Sequence, residues 1–145
     1  MTTLLVDTSV LVKWFHGEGE LELAEARAIR EAHRRGEVDA RLIDLALYEV
    51  GNVLLGALHW AAADVADQLD DLLVICGSPL IMAPEWLRDA ASIGAANQLT
   101  FYDAAWAASA RALGVALVSA DSRLLAAGLA ESPTAIVERL RLRGR

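Results

Sequence analysis

The sequence predicts an α/β fold, a three-layer α/β/α sandwich around a central parallel sheet, and three observations carry that expectation. Residues 4–6 and 115–119 are continuous apolar runs of the kind found in strands buried on both faces. One or two segments with helical spacing stand between successive strand candidates, which calls for right-handed crossovers and a parallel sheet covered on both sides. A length of 145 residues suits one domain that buries its own core.

Leu4, Leu5 and Val6 form the first strand and stop at Asp7-Thr8-Ser9; residues 10–15 resume with helical character until Gly17 and Gly19 break them. Residues 20–35 read as a helix with Leu21, Ala24, Ala28 and Ala32 on one face, ended by Gly36. A short second strand is expected at residues 40–43. The spacing then predicts helices over 45–58, through Leu45, Tyr48, Val53 and Leu54, and over 61–75. Gly77-Ser78-Pro79 breaks the pattern, residues 80–82 read as a brief strand, and Pro84 opens a helix over 85–97. A further helix runs from Thr100 to Leu113 and ends at Gly114. Residues 115–119 form the next buried strand, followed by Ala120-Asp121-Ser122 and a short helix to Gly128. Thr134, Ala135, Ile136 and Val137 read as a last strand. The chain has no internal repeat and no linker rich in Pro, Gly or Ser. It is therefore taken as one domain over residues 1–145, with its core over about 4–137 and a basic end at 138–145.

Hydrophobic residues make up 55% of the chain and charged residues 23%, which excludes a disordered sequence. No uncharged stretch reaches the ~18 apolar residues of a membrane helix. The longest, residues 50–63, contains Gly51, Asn52, Gly56 and His59. The opening residues carry no basic segment and meet Asp7 at once, so neither a signal peptide nor a membrane is expected and the domain is read as cytoplasmic. One cysteine, Cys76, excludes an intramolecular disulfide and a multi-cysteine zinc site. The formal charge of −7 argues against loose electrostatic binding to nucleic acid, but it is uneven. Residues 138–145 hold four arginines and one acid, a local +3, leaving −10 over residues 1–137. Such an acidic body is either a solvated surface or a set of acids that share a cation.

Ligands of a parallel sheet gather beyond the carboxyl ends of its strands. Asp7 follows the first strand and Asp121 follows residues 115–119. Asp103 lies in the first turn of the Thr100 helix, and Glu49 lies on an apolar helix among Leu45, Tyr48, Val50 and Val53. Each has a plain structural explanation. Asp7 and Asp121 can cap the helices that follow them, Thr100 and Asp103 fit a capping box, and Glu49 can reach solvent. Together the four suggest more, because clustered carboxylates repel unless a divalent cation favours their ionised forms. Oxygen ligands without cysteine or a histidine pair point to Mg²⁺ or Mn²⁺ rather than zinc.

The blocks Val6-Asp7-Thr8-Ser9-Val10, Tyr48-Glu49-Val50-Gly51-Asn52-Val53-Leu54, Tyr102-Asp103-Ala104 and Val118-Ser119-Ala120-Asp121-Ser122-Arg123-Leu124 resemble, in order and spacing, the four acidic blocks of the PIN-domain family. The length and the start at residue 1 resemble its small bacterial and archaeal branch, the VapC toxins of VapBC toxin–antitoxin systems. The resemblance runs from Leu4 to about Val137. It implies that Asp7, Glu49, Asp103 and Asp121 are the metal-binding and catalytic acids, and that Thr8 or Ser9 and Ser119 place hydroxyls near the metal or the scissile phosphate. Asn52, nearly one helical turn beyond Glu49, either points to the same cluster or ties helix to loop. Ser119 departs from the family pattern, which usually has threonine there, but keeps the hydroxyl. Ser122 supplies no extra carboxylate.

The resemblance further implies a Mg²⁺- or Mn²⁺-dependent endoribonuclease, with RNA as substrate, a VapB-like antitoxin as partner, and a homodimer that can enter a larger toxin–antitoxin assembly. The residue inventory agrees with metal-assisted hydrolysis, because there is no Cys/His pair and no G-x-S-x-G elbow. His16, His33 and His59 lie in separate contexts and read as ordinary surface or helix residues. Arg123, Arg111, Arg88 and the arginine-rich end are candidates for holding the RNA backbone. Core filling accounts for most of Trp14, Phe15, Trp60, Trp86 and Trp106, with one of the adjacent pair Trp14 and Phe15 free to serve an antitoxin groove or a dimer contact. Three other readings stand beside the toxin: a PIN nuclease of RNA processing without an antitoxin, a catalytically silent PIN-like module, and a phosphatase of the haloacid dehalogenase type. The last needs a second aspartate where Ser9 stands.

Overall fold

The computed structural model describes residues 1–143. At its centre is strand β1 (Thr2–Val6), whose Leu4, Leu5 and Val6 have no solvent contact. Strands β2 (Val38–Arg41) and β3 (Ala116–Val118) pair with it in parallel, giving the order β2-β1-β3, with Leu4 opposite both Ala40 and Ala116. A central strand flanked on both edges and covered on both faces has no polar side to show. This is why its sequence is a continuous apolar run.

Eight α-helices among the described residues cover the sheet: α1 (Thr8–Leu11), α2 (Leu23–Arg34), α3 (Leu45–Asn52), α4 (Ala62–Cys76), α5 (Pro84–Asn97), α6 (Phe101–Leu113), α7 (Ser122–Ala126) and α8 (Pro133–Leu140). The α/β sandwich with a parallel sheet is therefore as the sequence predicts. Helices α5 and α6 lie against each other at close range. A Cβ at Gly94 would stand 3.3 Å from the Ala104 Cβ and 3.4 Å from the Leu99 carbonyl. Residues 104–110 of α6 are buried without a break, which small side chains permit; six of the seven are alanine or serine and the seventh is Trp106.

Four expectations need correction. Residues 134–137 are not a strand but part of α8: the Ser132 hydroxyl accepts from the Ala135 N–H at 3.1 Å, Pro133 occupies the first turn, and the Glu22 carboxylate accepts from the Thr134 N–H at 3.0 Å. That cap and the apolar spacing of Pro133, Ile136, Val137 and Leu140 override the strand preference of the Thr–Ile–Val run. The sheet instead continues upstream of α8, where Glu131 bridges in parallel to Val118 through bonds to Leu117 and Ser119. Residues 80–82 likewise reduce to one parallel bridge, Leu80 to Ile43. Pro79 has no N–H to give and Pro84 already opens a helix, so little ladder fits between them. In α2 the buried face is Ala26, Ala28, Ile29 and Ala32, while Leu21 is 80% exposed and Ala24 is exposed, because the helix starts at Leu23 rather than Glu20. The helix expected over 45–58 ends at Asn52 and widens into a π-type turn (Val53–Ala57).

Candidate active site

Parallel strands deliver their carboxyl ends to one side of the sheet, and the four acids singled out from the sequence follow one another there as pairwise neighbours. Asp7 follows β1 directly, and its N–H donates to the Val118 carbonyl at 3.1 Å, so it sits beside the exit of β3. It is 4% exposed. Two hydroxyls hold its carboxylate: Ser9 donates to Oδ1 at 2.5 Å and Ser119 donates to Oδ2. Ser9 Oγ also accepts from the Ala120 N–H at 2.9 Å, and Ser119 Oγ accepts from the Asp121 N–H at 3.0 Å. The two serines thus tie the loop after β1 to the loop after β3.

Glu49 points from α3 toward the same end. Its Oε1 accepts from the Thr8 hydroxyl at 3.0 Å and from the Trp106 indole N–H at 2.8 Å. Trp106 is buried, as core filling requires, but its polar edge also orients an acid. The signal was present in the sequence, because Trp106 stands three residues after Asp103 and so shares its helix face. Asp103 caps back through its own N–H to the Thr100 hydroxyl at 3.1 Å. Asp121 Oδ1 accepts from the N–H groups of Arg123 at 2.9 Å and Leu124 at 3.1 Å. Capping and clustering are therefore not rival explanations, since the helix N-termini that need caps open at the carboxyl end of the sheet. Asn52 is exposed and lines, with Glu49 and Thr8, a cleft of about 350 Å³.

Like-charge repulsion links the four acids in sequence around the site. Burial lifts the Asp7 carboxyl to about 6, its hydrogen bonds to Ser119, Ser9 and Val10 hold it down, and Glu49 pushes it up. Burial also raises Glu49, against the bonds from Trp106 and Thr8, with Asp103 adding repulsion. Asp103 is raised by burial first and then by Asp121, while Thr100 and Arg123 lower it. Each acid acts on its neighbour. Among the described residues, however, no three His, Cys, Asp or Glu side chains close on one point as a ready coordination shell. The cluster offers only oxygen donors, four carboxylates and adjacent hydroxyls, which fits a hard divalent cation and no soft one.

The PIN-domain family pattern matches residues 4–129 of this chain. The chain belongs to the PIN-domain family. It is 39% identical over 92 residues to the protein named Exonuclease VapC9 of Pyrobaculum aerophilum, a match that covers 59% of this chain and 64% of that one. The chain thus spans less than two thirds of this curated relative. The VapC-type resemblance read from the acidic blocks is borne out. The crystal structure of PAE2754 from Pyrobaculum aerophilum superposes with a TM-score of 0.67 at 26% identity, covering 97% of both chains. The matched span of the PIN domain contains all four acids, Trp106 and the two serines. Of the arginines considered for the RNA backbone, Arg88, Arg111 and Arg123 are exposed, whereas Arg139 is engaged by Glu131 at 2.9 and 2.8 Å. Arg145 lies outside the described residues. No helix among the described residues is long and apolar enough to cross a membrane.

Proposed function

We propose that this protein is a Mg²⁺- or Mn²⁺-dependent endoribonuclease, the cytoplasmic toxin of a VapBC-type toxin–antitoxin system. The observation that carries this reading is the grouping of Asp7, Glu49, Asp103 and Asp121 at the carboxyl end of the sheet, where burial chiefly, with like-charge repulsion adding to it, raises Asp7, Glu49 and Asp103 above their ordinary values. Buried like charges invite a counter-ion, and the side chains that hydrogen-bond to Asp7 and Glu49 are all neutral. Asp7 and Asp103 would be the principal ligands of the cation, with Glu49 and Asp121 completing the set. When bound, the cation would acidify a water for attack and neutralise charge on the phosphodiester. The chain's own residues do the positioning. Ser9 and Ser119 hold both oxygens of Asp7, and Thr8 and Trp106 hold Oε1 of Glu49, so each carboxylate is oriented before substrate arrives. Hydrolysis breaks the bond from phosphorus to the 3′ oxygen, with the attacking water supplying the new oxygen on phosphorus. A VapB-like antitoxin and a homodimer complete the assignment, on the strength of the VapC resemblance.

The test is purified protein with a linear and a circular RNA, with and without EDTA. Metal-dependent opening of the circle supports an endoribonuclease; degradation of the linear RNA alone would make the protein an exonuclease, as its relative is named. Expression of the chain alone should arrest growth, and Asp7→Ala or Asp103→Ala should abolish both arrest and cleavage. Cleavage that persists in EDTA or in both variants would refute the reading.

A further inference from the structure

An acid cluster that works on a phosphodiester must also meet an anion, and positive charge is scarce around it. Arg27 and Arg30 donate to the backbone carbonyls of Lys13 and Trp14, and Arg34, Arg35, Arg41 and Arg139 are paired with acids. Arg88, Arg111 and Arg123 are exposed, and among the described residues their side chains have no such bond. Arg88 stands on α5, which carries none of the four acids, and Arg111 is in the last turn of α6. Asp103 is in the first turn of that helix, about 12 Å of helix rise away.

Arg123 is placed differently. Its backbone is pinned twice: the N–H donates to Asp121 Oδ1 at 2.9 Å, and the carbonyl accepts from the Ala127 N–H at 3.0 Å. The next residue, Leu124, is fully buried and anchors α7. The side chain therefore leaves a fixed point two residues past one acid of the cluster. Its charge reaches a second acid, because Arg123 lowers Asp103 while Asp121 raises it. The other charges that act on Asp7, Glu49 and Asp103 are carboxylates. Arg123 closes no ion pair with Asp103, so the N–H donors of its guanidinium stay available.

We propose that Arg123 is the phosphate-binding catalytic residue of this site, its guanidinium holding the non-bridging oxygens of the phosphodiester that is cut. The proposal rests on the nuclease reading above and adds the group that meets the substrate's charge. Carboxylates alone repel an anionic strand, whereas a planar fork of N–H donors fits phosphate. In the free protein the guanidinium offsets Asp103; once a bound cation neutralises that acid, Arg123 is released to the phosphate. In the hydrolysis, the oxygen of water bonds to phosphorus, the bond to the 3′ oxygen breaks, and that oxygen ends as a hydroxyl with a proton from the water. Arg123 exchanges no atom and holds the oxygens on which charge builds.

The experiment has three readouts on the full chain, with circular dichroism establishing that each variant is folded. Fluorescence polarisation of a short labelled RNA, in the Asp7→Asn background, measures binding against salt. Adding Arg123→Gln should weaken binding and make the slope of log affinity against log salt shallower by about 0.7, the loss of one phosphate contact on a single strand. With Asp7 intact, Arg123→Gln should lower the single-turnover rate at saturating RNA about a hundredfold, Arg123→Lys should restore part of it, and Arg111→Gln should leave it unchanged. The rise in melting temperature with Mn²⁺ should persist in Arg123→Gln, since no ligand is lost and a nearby cation is removed. An unchanged salt slope overturns the proposal. So does a rate that saturating RNA restores, which would put the arginine on a phosphate that is not cut, and so does a blunted Mn²⁺ response, which would make it a prop of the metal site. Cleavage by the parent is scored separately. A parent that cuts while Arg123→Gln cuts equally well removes this proposal alone, and a parent that never cuts while the salt slope still falls removes the nuclease reading and leaves Arg123 a phosphate contact.

Discussion

Replacing Asp7 by asparagine should make the apo protein more stable at pH 8 and leave it little changed at pH 4. Asp7 is buried, and burial is the foremost reason its carboxyl stands at about 6 instead of 3.8. An acid whose folded value exceeds its unfolded value stabilises the fold through its protonated form. That contribution is complete below about 3.8 and is lost as pH rises through about 6. The interval corresponds to roughly 3 kcal/mol. Asparagine has the same shape and no charge. Its carbonyl accepts from one serine and its amide donates to the other hydroxyl, so one exchanged bond costs about 1 kcal/mol. The expected net gain is therefore about 2 kcal/mol at pH 8, with a loss of up to about 1 kcal/mol at pH 4. Urea unfolding in EDTA at pH 4, 6 and 8 measures it, as a shift in midpoint at constant slope. An equal difference between Asp7→Asn and the parent at pH 4 and pH 8 would refute the assignment of a raised, buried carboxylate.

Mg²⁺ or Mn²⁺ should raise the melting temperature of the parent by binding the folded state, and Asp7→Asn or Asp103→Asn should blunt that rise; equal shifts in all three proteins would count against both residues as ligands. Trp106→Phe removes one of the two donors to Glu49 Oε1 and should cost about 2 kcal/mol in denaturant unfolding. It should also lower cleavage, because Glu49 then keeps only Thr8; unchanged stability and activity would show that the indole N–H is idle. Cys76 is buried and its thiol is pushed up to about 12, first by burial and then by Asp39. It should therefore resist alkylation at pH 8 until urea unfolds the chain, and rapid native-state labelling would contradict that environment.

What was legible from the sequence was whatever follows from neighbours along the chain. The apolar run Leu4-Leu5-Val6 needs only its own composition to read as a central strand, and an acid straight after such a run lies at the carboxyl end of the sheet wherever the helices go. Thr100 with Asp103, and Asp121 ahead of Arg123 and Leu124, are cap arrangements within four residues, and both are present. Tertiary contact decided the rest. The Thr–Ala–Ile–Val run is a helix because Glu22, 112 positions away, and Ser132 satisfy the N–H groups that a strand would have offered to a neighbour. Glu49 faces inward because Thr8, 41 positions earlier, and Trp106, 57 positions later, both present donors to one oxygen. Hydrogen bonds between distant segments leave no local period or spacing by which to find them. Caps and buried strands do, so the places of the acids along the chain follow from local pattern, whereas the groups that hold them and the strength with which they act on one another arise when distant segments pack together.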